Sequence, residues 1–143
     1  MDSDENAAQE LAERSVAAMY AGDQASQAVG ITVDEVAPGR VRVSMDVTAT
    51  MVNGHGIAHG GYVFLLADSA FAFACNSYGE AAVARTCDIE FMAPARAGDR
   101  LVAEAVERAR RGRSGIYDVA VRRQADGELL AEFRGHSRVV PRP

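Results

Sequence analysis

Cysteine is scarce in this chain: Cys75 and Cys87 are the only two among 143 residues. They form no C-x-x-C pair and sit in apolar stretches. That excludes a disulfide framework and points to two buried thiols in a reducing cytoplasm. Basic charge is also short, with 15 Lys and Arg against 20 Asp and Glu and a net charge of −5. Such a field disfavours nucleic acid, and an anionic ligand needs a local basic patch. The opening residues, Met1-Asp2-Ser3-Asp4-Glu5, place acid where a secretory signal needs base followed by an apolar run. No Walker loop, dinucleotide fingerprint or G-x-S-x-G elbow occurs. His55, His59 and His136 lack the spacing of a zinc site, so no metal is expected. Repeats, low-complexity tracts and interdomain linkers are missing too. Residues 57–75 form the longest apolar run, but it holds His59, Gly60, Gly61, Asp68 and Ser69. An aspartate at mid-span costs about 2.5–3.5 kcal/mol in a bilayer, and no second span follows, so no membrane partner is expected.

What is present fits one domain over 1–143 with one core, 48% apolar and 24% charged. Residues 5–21 are rich in helix formers, with a stop near Gly22. Residues 29–36 and 40–47 predict two strands joined at Ala37-Pro38-Gly39; Val41, Val43, Met45 and Val47 alternate with polar neighbours. Residues 50–58 predict a loop. Residues 59–78 predict a helix apolar nearly all round, hence buried on all sides. Strands are predicted over 81–91, 100–110, 114–124 and 129–140, separated by short turns at Gly98-Asp99, Gly112 and Asp126-Gly127. Long strands with tight turns make an antiparallel sheet. One buried helix with one long sheet gives an α+β hotdog architecture, the sheet wrapped around the helix, preceded by an extra N-terminal helix.

Four features carry possible chemistry. Asp68 has Phe64, Leu65, Phe71 and Ala72 as helical neighbours, so its carboxylate lies on an apolar face. A buried charge there is either partnered structurally or functional. His59-Gly60-Gly61 opens the same helix. Its unpaired N–H groups and dipole suit a carbonyl oxygen that becomes an oxyanion under attack, although a plain glycine turn reads the same way. Asn53, just before, is either a turn residue or an amide that orients water or substrate. Arg108, Arg110, Arg111 and Arg113 crowd the Gly112 turn, either as a solvated hairpin tip or as a phosphate-binding cluster. Gly60 and Asp68 are eight residues apart on one helix, about 12 Å along its axis. If both act on one carbonyl, they come from two chains, and the site lies at a dimer interface.

The run from Asn53 through Gly54-His55-Gly56-Ile57-Ala58-His59-Gly60-Gly61-Tyr62 to Asp68-Ser69-Ala70-Phe71-Ala72 closely resembles the PaaI thioesterases of phenylacetic acid degradation. The likeness continues through Ala74-Cys75-Asn76-Ser77, Asp88-Ile89-Glu90-Phe91, Ala97-Gly98-Asp99, Gly115-Ile116-Tyr117-Asp118 and Phe133-Arg134-Gly135-His136-Ser137. This resemblance implies a hotdog fold, a homotetramer built as a dimer of dimers, and hydrolysis of aryl- or arylacetyl-coenzyme A. It implies Asp68 as general base or nucleophile, Gly60 N–H polarising the carbonyl, and support from Asn53 and His59 of the other chain. No cofactor is implied, coenzyme A being part of the substrate. Some relatives carry a serine or threonine where Ala84 stands, which leaves Thr86, two residues on, as a candidate helper.

The resulting expectation is an acyl pocket along the helix face near Gly61, Tyr62, Leu65 and Phe71, with coenzyme A phosphates on Arg111 and Arg113. The thiolate leaves without a strong acid, so a base and an oxyanion donor suffice. A non-catalytic acyl-coenzyme A sensor on the same fold is the alternative. A hotdog dehydratase is disfavoured, because His59 belongs to the glycine turn.

Overall fold

The computed structural model describes residues 2–141. Met1, Arg142 and Pro143, which the one-domain reading of 1–143 includes, lie outside the described residues. Helix α1 spans Ser3–Gly22 and a short α2 spans Gln24–Ala28. Strands β1 (Thr32–Ala37) and β2 (Arg40–Asp46) follow, then a 3-10 turn, Ala49–Met51, and helix α3, Gly60–Cys75. Strands β3 (Ala82–Phe91), β4 (Arg100–Arg111), β5 (Ser114–Arg123) and β6 (Leu129–Val139) complete the chain. The six strands form one sheet, ordered β1-β2-β4-β5-β6-β3, with every pairing antiparallel. α3 lies in its concave face. This is the hotdog fold, α+β in class.

Alternation decides which face each strand buries. Leu101, Ala103 and Ala105 of β4, Tyr117, Val119 and Val121 of β5, and Ala131 and Phe133 of β6 point inward and are buried. Many inward residues are alanine, and this small inner lining lets the helix seat closely. The contact is tightest at Gly135, where a β-carbon would stand 2.7 Å from the Phe71 ring. Phe71 meets Tyr117 and Phe133 at ring-centroid separations of 5.8 and 5.7 Å, within the range of favourable aromatic pairs. The outer face carries charge instead. Arg134 grips Asp118 in a two-pronged pair at 2.6 and 2.8 Å, and Arg40 meets Glu104 at 2.6 Å.

α3 ends at Cys75, three residues short of the predicted 78. Asn76 stops it: its Nδ2 donates to Ala72 O (2.8 Å) and to Ala82 O (3.0 Å), while its Oδ1 accepts from Ala82 N (2.9 Å). The carboxamide therefore ends the helix and anchors the start of β3. A second difference concerns burial. Gly61, Leu65, Asp68 and Ala72 form a stripe of α3 that is exposed or half-buried, so the helix is not enclosed on all sides. The sheet wraps around the rest and leaves this stripe open. Cys87, expected in the core, is exposed, whereas Cys75 is buried.

The two edges of the sheet differ. α1 packs on β1, where Gln9 Nε2 donates to Val36 O at 2.7 Å. Among the described residues, no strand pairs with the outer edge of β3, which is exposed over most of its length, with Val83 49% and Phe91 57% accessible. Among the described residues, no helix is long and apolar enough to cross a membrane.

Candidate active site

The start of α3 is built by a loop that hydrogen-bonds to itself. Asn53 N donates to Ile57 O (2.8 Å), and Asn53 Oδ1 accepts from His55 N (2.9 Å) and Ile57 N (3.2 Å). Val52 bridges to Ala58, and Ile57 bridges to Arg96. His59 then caps the helix, its Nδ1 accepting from Gly61 N at 3.0 Å. That bond leaves the other ring nitrogen, Nε2, to carry the proton. It also occupies the Gly61 N–H, which is unavailable to a ligand while the cap holds. The Gly60 N–H differs: it donates to none of the described residues. It is one of the unpaired donors at the positive end of the helix dipole. A β-carbon at Gly60 would stand 3.1 Å from the Phe91 ring, so glycine fits here through close approach.

Beside Gly60 opens an apolar cleft of about 410 Å³ lined by Ile57, Val63, Phe91, Met92, Pro94 and Leu130 among others. These lining residues were not legible as a site. Phe91 read as the end of a strand and Met92 as the residue after it, and only their 57% exposure marks them. Phe71, expected to line the acyl pocket, instead lies in the core with 1% of its surface accessible. Tyr62 and Leu65 are half-buried, and Leu65 belongs to the open stripe.

Asp68 sits midway along that stripe. Its carboxylate takes part in no hydrogen bond or ion pair with the described residues. Burial raises it above the ordinary carboxylate range, and the charge of Asp23 raises it further. A raised, unpaired carboxylate on an open face is suited to proton transfer. Across from it, Cys87 of β3 pairs with the inward-facing Gly135 and thus faces the helix side. Its thiol is raised by burial, then by Asp68 and Asp88. Thr86 pairs with His136 and shares its outer face, so it points away from Asp68 in its own chain. The bulge between Ala84 and Thr86 puts these two residues on opposite faces of the sheet.

The basic hairpin lies elsewhere. Arg111 opposes Ser114 across the turn at Gly112, whose φ of +60° suits glycine. Arg108 pairs with Asp118 (3.2 Å), and Arg110 lies 3.5 Å from the Tyr78 ring centre. Arg111 and Arg113 have no acidic partner among the described residues. The hairpin adjoins the Ala82 end of β3, through Ser114 to Arg138 to Val83, whereas Gly60 adjoins the Phe91 end. The ten residues of β3 separate these ends by about 30 Å. One chain therefore does not bring Arg111 and Arg113 to its own Gly60. No cluster of three or more metal-ligating side chains exists among the described residues.

An N-terminal helix donor, a raised carboxylate and an apolar cleft on a hotdog scaffold define a class. The family model of the Thioesterase superfamily matches residues 55–130, and the chain belongs to that superfamily. It is a thioester hydrolase of the PaaI type. It is 47% identical over 120 residues to the acyl-coenzyme A thioesterase PaaI of Escherichia coli K12, covering 84% of this chain and 85% of that one. The solved E. coli PaaI protein, from the phenylacetic acid degradation operon, superposes with a TM-score of 0.91 at 43% identity, covering 93% of this chain and 96% of that one. Human acyl-coenzyme A thioesterase 13 is 31% identical over 106 residues, covering 73% and 76% of the two chains.

Proposed function

We propose that this chain hydrolyses aryl- or arylacetyl-coenzyme A thioesters to the free acid and coenzyme A, with Asp68 as its catalytic carboxylate. The observation that carries the reading is the unused Gly60 N–H at the mouth of an apolar cleft. The acyl group occupies that cleft. Gly60 N–H binds the thioester oxygen and stabilises the negative charge that develops on it. Asp68 removes a proton from the attacking water, or attacks directly to give an anhydride that water then opens. The thiolate departs unaided. Asn53 contributes only its Nδ2 as a donor, because its Oδ1 holds the loop. His59 acts through the cap.

The working unit in this reading is a dimer. Two bare β3 edges related by a two-fold axis pair antiparallel and close the sheet. That pairing covers Val83 and Cys87, and it carries the partner's Arg111–Arg113 hairpin toward the Phe91 end, beside Gly60, where coenzyme A phosphates need cations. A second dimer completes a homotetramer. The enzyme works in the cytoplasm and needs no cofactor.

Thiol release from phenylacetyl-, hydroxyphenylacetyl- and medium-chain acyl-coenzyme A, for wild type beside Asp68→Asn, tests the proposal. Preferred turnover of an aryl thioester, and a loss of about 10²–10⁴-fold in the variant at unchanged fold, supports it. Tight acyl-coenzyme A binding without turnover supports the sensor instead.

A further inference from the structure

The junction of α1 and α2 carries polar groups that the reaction above does not use. Asp23 N donates to Tyr20 O (3.0 Å) and closes α1, while Asp23 Oδ1 accepts from Ser26 N (2.9 Å) and opens α2. Its Oδ2 accepts from Ser26 Oγ at 2.6 Å. Ser26, 1% accessible, lies 3.1 Å by its Oγ from the Oγ of Ser69, which is 5% accessible. The proton directions follow from chemistry. An ionised carboxylate only accepts, so Ser26 spends its single hydroxyl proton on Asp23, and Ser69 must donate to Ser26. Ser69 is the residue next to Asp68 on α3. One turn further along, Tyr20 packs edge-on against Phe73 at 6.1 Å, and its hydroxyl donates to Ile31 O at 2.6 Å. The segment from Tyr20 to Ile31 is thus tied to α3 on the flank of the turn that bears Asp68.

A buried pair of serines is not what packing alone requires. Two alanines would fill similar space without stripping hydroxyls of water. What the serines add is direction and register, since a buried hydrogen-bond chain fixes one arrangement where apolar contacts tolerate several. We propose that Asp23 is a positioning residue for Asp68, acting through the Ser26–Ser69 hydrogen-bond chain to fix the turn of α3 that carries the catalytic carboxylate. This rests on the reading of Asp68 given above. Charge adds to the geometry: Asp23 is the second contribution, after burial, to the upward displacement of Asp68. The other titratable groups around that carboxylate are Cys87 and, beyond it, Asp88 on β3, and Cys75 on α3 itself; both thiols are raised, Cys75 up to about 12. None of them supplies a positive charge to oppose Asp23.

The test compares wild type, Asp23→Asn, Ser26→Ala and Ser26→Thr in kcat and KM for phenylacetyl-coenzyme A from pH 4.5 to 8, with melting curves. Asp23→Asn removes the charge, so the acid limb of its kcat/KM profile moves to lower pH, and it leaves one acceptor oxygen where the carboxylate used two, so kcat falls as well. Ser26→Ala breaks the chain and leaves the charge, so kcat falls by about 10–100-fold at little-changed KM and without an acid-limb shift. Ser26→Thr restores the hydroxyl and recovers kcat. A merely structural role lowers the melting temperature and moves neither readout. An Asp23→Asn profile that superimposes on wild type, or a Ser26→Ala variant that keeps wild-type kcat, overturns the proposal. Carbon-13 NMR titration of the Asp68 carboxyl, with and without Asp23→Asn, separates this proposal from the catalytic reading. A lowered midpoint in a protein whose Asp68→Asn variant stays active would remove Asp68 from catalysis and leave its coupling to Asp23 standing.

Discussion

The sheet has two edges that the chain treats differently. β1 is finished: α1 lies along it, and Gln9 satisfies the carbonyl of Val36. β3 has no such cover among the described residues, and its exposed residues include Val83 as well as the Phe91 that borders the cleft at Gly60. A long uncovered edge with apolar side chains is a template for another strand. The comparison teaches where the molecule is complete by itself. In the proposed dimer, the β1 side belongs to the fold, and the β3 side belongs to the assembly and the reaction.

The largest effect should come from proline placed in β3. Adjacent residues send their N–H groups to opposite sides, so of Cys87→Pro and Asp88→Pro one strikes the free edge and the other the β6 ladder. The edge variant should become a folded monomer by analytical ultracentrifugation and lose thioesterase activity by about 10²-fold or more, as its carboxylate is parted from the oxyanion donor. A fully active monomer would break the comparison. A smaller effect belongs to the finished edge. Gln9→Ala should cost about 0.5–1.5 kcal/mol in urea unfolding and leave turnover and assembly as they are. A change in oligomeric state there would show that β1 also serves the assembly.

The smallest effect lies on the open stripe and depends on pH. The carboxyl of Asp68 is raised in the folded chain, so folding favours its protonated form. Its contribution is present below the unfolded carboxylate range and is lost as pH rises through the folded value. Asp68→Asn should therefore melt slightly higher than wild type at neutral pH, with the gap closing in acid. A gap that widens in acid would mean that Asp68 is held by a stabilising partner.

Much of this was legible in the sequence, for local reasons. Val41, Val43 and Met45 of β2 alternate because one face is buried, and the glycine turns marked the hairpins within a residue or two. The Asp68 and Gly60 placements followed from helical spacing and from the donors that every helix start leaves unpaired. The failures were non-local. Phe71 looks like Leu65 in sequence, but the strand behind it decides that it is core. The face that Thr86 presents was not legible, because a bulge between Ala84 and Thr86 shifts the register. Arg111 and Arg113 read as a basic cluster, but their place at the far end of β3 from Gly60 of the same chain is set by strand topology. Phe91 and Met92 gave no signal at all, because a residue beside a cleft and a residue in a sheet share one composition.

The contact between Gly135 and Phe71 bears on how such a chain can change. A methyl group at position 135 alone meets the ring at 2.7 Å, an overpacking that costs about 1–3 kcal/mol. Shrinking the ring alone leaves a void in the middle of the core, which is costly in its own right. Each position thus sets the terms on which the other can vary, and a path to a smaller residue at 71 and a larger one at 135 runs through an intermediate weaker than either end. The order of two substitutions, rather than their sum, then decides whether a descendant keeps a folded enzyme.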